Sequence, residues 1–199
     1  MVALQGGMAV GKTTLAKKLQ ERFNDVQVSF ENPSHTIRKI KELGLDKFHE
    51  TDYYEIQRLF IQAEIERYQS LQIHPKVIID LGPEEIEFYT LSYPQSIGKQ
   101  WDVEFNLSKE LAALRSCRLD GILFLDASAE VLKKRKEHDG TRNRGFFEHY
   151  LTKLHPLKKV WFERDARTAM VNVDRSNIEE TVNFAVQWLE RIETNQAGN

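Results

Sequence analysis

Gly6-Gly7-Met8-Ala9-Val10-Gly11-Lys12-Thr13 decides the fold: it fits the pattern G-x-x-x-x-G-K-[ST] without a mismatch and follows the short apolar run Val2-Ala3-Leu4. From Thr14 to Phe23, Leu15, Leu19 and Phe23 recur at helical spacing. Strand, glycine loop and helix therefore come in the order that makes a phosphate cradle. Glycines let several backbone N–H groups point into one concavity, and the N-terminus of the next helix adds partial positive charge. Gly6 to Thr13, with Thr14 following, are expected to wrap a phosphate chain. Lys12 brings mobile positive charge toward the β- and γ-phosphates, and the Thr13 hydroxyl suits a magnesium ion.

The chain of 199 residues, 41% apolar and 29% charged, is long enough for one well-buried core. A single domain over residues 1–193 is expected, with the tail 194–199 fraying because it has nothing to bury. A net charge of −2 gives no global field toward nucleic acid or a membrane surface. Cys117 stands alone, so no internal disulfide forms; this fits a reducing compartment, and a packing role is expected for the thiol. No basic segment followed by a long apolar stretch opens the chain, and no apolar run reaches membrane-spanning length. A cytoplasmic protein is expected. Internal repeats, low-complexity segments and Pro/Gly-rich linkers are absent from the sequence.

Apolar, β-rich runs recur at Val2–Leu4, Val26–Phe30, Val77–Ile79, Ile122–Leu125 and Met170–Val173, separated by helical patterns too long for hairpin turns. This alternation predicts an α/β fold with a five-stranded, mostly parallel sheet between helices, and ligands at the carboxyl ends of the strands. A helix is predicted over Asp52–Gln72, capped at Thr51/Asp52, with Ile56, Leu59, Phe60 and Ala63 on its apolar face. Ser176-Asn177-Ile178-Glu179 reads as a capping box opening a last helix that carries Ile178, Val182, Ala185, Leu189 and Ile192.

The segments after the strands carry the candidate chemistry. Glu31-Asn32-Pro33 follows the second strand, where a carboxylate is suited to orient or deprotonate an attacking hydroxyl; a proline turn explains the same residues without chemistry. Asp80-Leu81-Gly82-Pro83 follows the third, where an acid is suited to bind magnesium or merely opens a Gly-Pro turn. The charge run 133–144 follows the fourth. Its lysines read as a solvated helix face. Arg135 falls on the helix, while Arg142 and Arg144 follow Gly140 in a predicted lid over about 133–148. Guanidinium groups match phosphate oxygens bidentately and suit stabilisation of charge on a transferred group. The Gln57 amide both donates and accepts, as base recognition requires, although a solvent-exposed role explains it equally.

With these pieces in order, the chain resembles the deoxynucleoside kinase family within the P-loop nucleoside and nucleotide kinases. The discriminating stretches are Phe124-Leu125-Asp126-Ala127-Ser128-Ala129-Glu130-Val131-Leu132-Lys133-Lys134-Arg135 and Tyr150-Leu151-Thr152-Lys153-Leu154-His155. The resemblance implies a three-layer kinase fold with an arginine-bearing lid. It implies Mg-ATP as donor, a nucleoside-like small molecule as acceptor, and a homodimer as the family's assembly. It implies that Glu31 activates the acceptor hydroxyl and that Tyr54-Glu55-Ile56-Gln57 corresponds to the family's Phe-x-x-Gln, whose glutamine holds the base. Lys12, Arg135, Arg142 and Arg144 would serve the moving phosphate charge, and Thr13 and Asp80 the magnesium.

Two departures bear on the acceptor. The family commonly has Glu-Arg-Ser or Asp-Arg after the third strand, whereas Leu81 follows Asp80 here. Glu64 stands where the family often places an arginine. Either Arg38 or Arg58 supplies that missing charge, or catalysis is weak, or the acceptor differs. The pattern leaves ATP against GTP open. It also leaves open a nucleoside monophosphate or other small-molecule kinase, and a nucleotide-binding regulatory protein that phosphorylates no acceptor. The apolar residues of Asp52–Gln72 and Ser108–Cys117 serve a core as readily as a dimer face.

Overall fold

In a computed structural model the described residues are 1–138 and 145–197. They divide into two compact units: Met1–Phe30, Pro75–Asp80 and Leu119–Asn199 form one, Glu31–His74 and Leu81–Arg118 the other. The sequence reads as one domain because no linker-like composition marks the four crossings between them.

The first unit holds the sheet. Strands β1 (Val2–Gly6), β2 (Gln27–Ser29), β3 (Val77–Asp80), β4 (Gly121–Asp126) and β5 (Thr168–Asn172) lie in the order β2-β3-β1-β4-β5, all parallel, as the sequence predicts. The chain moves outward from β1 to β2 on one side and to β4 on the other. The carboxyl end of β1 is therefore a topological switch point, where open α/β sheets bind ligands.

Alternation along β4 sends its side chains to both faces. Leu123 and Leu125 join Val2, Leu4 and Ile78 in a core packed on Leu15, Ala16 and Leu19 of α1 (Lys12–Arg22) and on Val182, Ala185 and Trp188 of α10 (Ile178–Ala197). Ile122 and Phe124 pack instead on Phe162 of α9 (His155–Glu163), the two aromatic rings 5.3 Å apart. Helices thus cover both faces. The capping box of α10 sits one residue later than the sequence suggests: Asn177 N donates to Glu180 Oε2 at 3.0 Å, and Glu180 N to Asn177 Oδ1 at 2.9 Å. Asn177 caps as well as Ser176 would, and an acid follows each at the required spacing. The helix continues to Ala197, past the point where fraying is expected.

The second unit is helical: α2 (Ser34–Glu42), α3 (Glu50–Leu71), α4 (Pro83–Ser96), α5 (Val103–Asn106) and α6 (Ser108–Ser116). Helix α3 begins at Glu50 after His49, so Thr51 and Asp52 do not cap it; Asp52 accepts instead from Asp46 N at 3.1 Å. Its buried stripe also differs from the apolar one. Tyr53, Tyr54, Ile56, Gln57, Ile61 and Glu64 are buried, whereas Leu59 and Phe60 are half-buried and Ala63 exposed. Polar Gln57 and Glu64 can lie inside because each has a partner there. Leu111 and Leu114 of α6 are buried in this unit's own core, and Cys117 is buried with its thiol pushed up by desolvation.

Helix α7 (Ala129–His138) follows β4 in the first unit, and α8 (Phe147–His149) leads through a π-helical turn, Tyr150–Leu154, into α9. The predicted lid residues Arg142 and Arg144 lie outside the described residues. No helix among the described residues is long and apolar enough to cross a membrane.

Candidate active site

The loop from Gly6 to Gly11 has the backbone its glycines permit. Gly6 lies at φ +139° and Gly11 at +109°, and Ala9, between them, is also left-handed at +65°. A Cβ on Gly6 would stand 2.3 Å from the Leu125 carbonyl oxygen, so no side chain fits there. Val10 N donates to Gly7 O at 3.3 Å, closing the turn, and Leu15 N donates to Gly11 O at 2.9 Å as α1 begins. No side chain caps α1, which leaves its first N–H groups for an anion.

Lys12 Nζ reaches back to the Gly7 carbonyl at 2.9 Å and the Gly6 carbonyl at 3.2 Å. It is therefore held over the loop rather than spread into solvent. Thr13 Oγ1 donates to Asp80 Oδ2 at 2.8 Å, which brings together the two sequence candidates for metal binding. Asp80 is 5% exposed, and its other oxygen, Oδ1, is buried with no hydrogen-bond partner. A hydroxyl beside an under-satisfied carboxylate is a hard oxygen donor set that fits magnesium, whose remaining ligands are ordinarily waters and phosphate oxygens. Among the described residues no cluster of three His, Cys, Asp or Glu side chains could hold a metal by itself.

Arg135 is committed to backbone. One guanidinium nitrogen donates to Val10 O and another to Val173 O, each at 2.8 Å, so α7 ties the outer turn of the loop to the chain after β5. This is a bracing role that sequence spacing does not reveal. Two more residues, both missed by sequence reasoning, reach the loop from α9. Lys158, 1% exposed, donates from Nζ to Gly6 O at 3.0 Å. His155 lies against Gly7, where an added Cβ would come within 3.3 Å of its ring. Burial, with Lys158, Lys159 and Lys12 adding to it, holds this imidazole below its ordinary pKa; Asp126 opposes them. The Tyr150–His155 stretch was a family marker in the sequence, but nothing in its spacing says what it touches.

The second unit carries the remaining candidates. Gln57 is buried, not exposed, and its Oε1 accepts from Thr90 Oγ1 at 2.8 Å. Tyr54 donates to Glu50 Oε1 at 2.6 Å, and burial first, then that bond, pushes its phenol up to about 12. Tyr53, fully buried, stacks with Tyr93 and lies 5.2 Å from Trp101. Glu31 is exposed where this unit begins. Arg58 is bound to Glu110 at 2.8 Å and to Glu55 at 2.5 Å, and Arg38 is exposed. Glu64 forms an ion pair with Arg67, yet burial still raises its carboxyl above the ordinary range. Leu81 is left-handed at φ +63°, a strained setting for a branched side chain.

A family model described as AAA domain matches residues 1–180. No curated protein matches the sequence. Among solved structures, the chain is similar to deoxyadenosine kinase from M. mycoides with bound dATP. The TM-score is 0.71 at 14% identity, over 95% of this chain and 98% of that one. The same kinase with dCMP and a flexible dCDP as products gives 0.66 at 12%, over 96% and 98%. With bound dCTP it again gives 0.66 at 12%, over 96% and 98%. These likenesses show the fold alone, a five-stranded parallel sheet between helices.

Proposed function

The chain belongs to the AAA domain family, and from that premise we propose that it transfers a phosphoryl group from Mg-ATP to a hydroxyl of a nucleoside or deoxynucleoside-like small molecule. The observation that carries this reading is the Thr13–Asp80 pair beside a glycine loop closed by Lys12. The kinase fold shared with an enzyme solved with dATP, dCTP and dCMP supports a nucleoside as the acceptor class.

Phosphoryl transfer asks the protein mainly for positioning and charge stabilisation. The loop amides and the uncapped start of α1 bind the anionic chain. Lys12 moves from the Gly6 and Gly7 carbonyls to its outer oxygens. Thr13 and Asp80 would hold the magnesium, which would supply neutralisation of phosphate charge. Glu31 takes the proton of the acceptor hydroxyl, and Gln57, oriented by Thr90, reads the base with Tyr54 three residues before it. Arg142 and Arg144 are the proposed lid cations. Arg135 supports the loop from behind and serves charge on the transferred group through that support. We place the protein in the cytoplasm.

Leu81 motivates a second reading, a nucleotide-binding regulatory protein without an acceptor, because it replaces the family's arginine. The two separate in one assay of purified protein. Glu31→Gln should retain ATP binding and lose most acceptor-dependent turnover; unchanged turnover removes Glu31 as the base. Slow hydrolysis indifferent to every nucleoside supports the regulatory reading.

A further inference from the structure

Two lysines converge on one backbone oxygen. The Gly6 carbonyl accepts from Lys12 Nζ at 3.2 Å and from Lys158 Nζ at 3.0 Å, which puts the two ammonium groups within about 6 Å of each other. Lys12 also has the Gly7 carbonyl and can swing away, being only half-buried. Lys158 cannot: it is 1% exposed on α9, three residues after His155. The neighbouring Lys159 is fixed to Asp126 at 2.7 Å and holds the same helix against the end of β4. The π-helical turn Tyr150–Leu154 immediately precedes this face, and such turns shift helix register by a residue.

We propose that Lys158 is a second lysine of the phosphate-binding loop, a positioning residue that keeps the Gly6 carbonyl satisfied while its buried charge drives the Lys12 ammonium outward toward a polyphosphate. Like charges sharing one acceptor repel, and in a water-poor setting that repulsion is weakly screened. It is relieved when Lys12 leaves for a phosphate oxygen. Gly6 O then keeps Lys158 and Gly7 O keeps Val10 N at 3.3 Å, so neither carbonyl is left without a donor as Lys12 departs. The fixed charge of Lys158 also adds to the field at the phosphates. His155, neutral and packed on Gly7, fills the remaining space without a third cation.

The inference rests on the reading of this loop as a nucleotide site, and two arms keep the failures apart. In the first, binding of ADP and of a non-hydrolysable ATP analogue is measured calorimetrically, with magnesium, for wild type, Lys158→Gln and Lys158→Arg. Lys158→Gln keeps a donor and removes the charge. Its affinity should fall about tenfold for ADP and further for the triphosphate, with a smaller salt dependence, and Lys158→Arg should recover most of it. Equal affinities of wild type and Lys158→Gln overturn the role of the charge, as does an equal loss for both ligands. A wild type that binds neither ligand refutes the reading of the loop itself. The second arm needs no ligand and no change at Lys158: Lys12→Met should raise the thermal midpoint of the nucleotide-free protein, because it removes one of two repelling charges. A lowered midpoint contradicts the proposal.

Discussion

Thr13 Oγ1 donates to Asp80 Oδ2 at 2.8 Å, while Asp80 Oδ1 is buried without a hydrogen-bond partner. The contact joins the first residues of α1 to the end of β3 and leaves one carboxylate oxygen with unmet demand, which a hard cation satisfies. Asp80→Asn keeps the size of the side chain and its contact with Thr13 but removes the charge. Turnover at saturating magnesium should drop by about a hundredfold or more, while nucleotide binding in chelator changes little. Magnesium titrations of wild type and Asp80→Asn check this.

The space around the glycine loop predicts a ranking. At Gly7 an added methyl would meet Leu132 Cδ1 at 3.0 Å and the His155 ring at 3.3 Å, side chains that can yield. Gly7→Ala should cost about 1–3 kcal/mol in denaturant unfolding, in the range of ordinary overpacking. At Gly6 the obstacle is the Leu125 carbonyl at 2.3 Å, and φ is +139°. Backbone cannot step aside as a leucine tip can, so Gly6→Ala should be the more destabilising of the two.

Arg135 spans Val10 O and Val173 O. Arg135→Met removes both bonds and leaves two carbonyls unsatisfied, which should cost roughly 2–4 kcal/mol and weaken nucleotide affinity through a loosened loop. Lysine has the charge but not the fork, so Arg135→Lys should recover only part of the loss. Recovery to wild-type stability would show that charge alone matters at this position.

His155 carries a pH signature. Its folded pKa is depressed below 6.5, chiefly by burial, so the unfolded chain takes up the proton first. The stability it contributes is therefore present above 6.5 and is lost as pH falls below that value toward the folded pKa. Comparing thermal midpoints at about pH 7.5 and about pH 5.5, His155→Gln should show a smaller drop than wild type. An identical drop would place the acid sensitivity elsewhere.

The sheet and the loop were legible in the sequence because each is local: an apolar run and a fixed glycine spacing. Thr13 and Asp80 were each legible by position, one ending the loop and one ending a strand, but their contact across 67 positions was not. Arg135 stood out in the sequence by its place after the fourth strand, but its bracing contacts did not, since its acceptors lie in Val10 and Val173, far away along the chain. Lys158 reads as one more lysine of a basic helix, and only its burial distinguishes it. Gln57 and Glu64 are hidden by the opposite rule: polarity suggests exposure, but Thr90 and Arg67 allow them inside. Capping residues slip by one position when equivalent side chains stand side by side, as Ser176 and Asn177 do. The left-handed backbones of Ala9 and Leu81 have no side-chain signature at all.

The proposed reaction is transfer of the γ-phosphoryl group of ATP held in this loop to a nucleoside. It is tested most directly by incubating purified protein with Mg-ATP and one nucleoside at a time and weighing the products by mass spectrometry. ADP and a nucleoside monophosphate should form in equal amounts, only with a matching nucleoside, and not with Lys12→Met. ATP consumed at the same rate with and without every nucleoside, with no monophosphate formed, would contradict it.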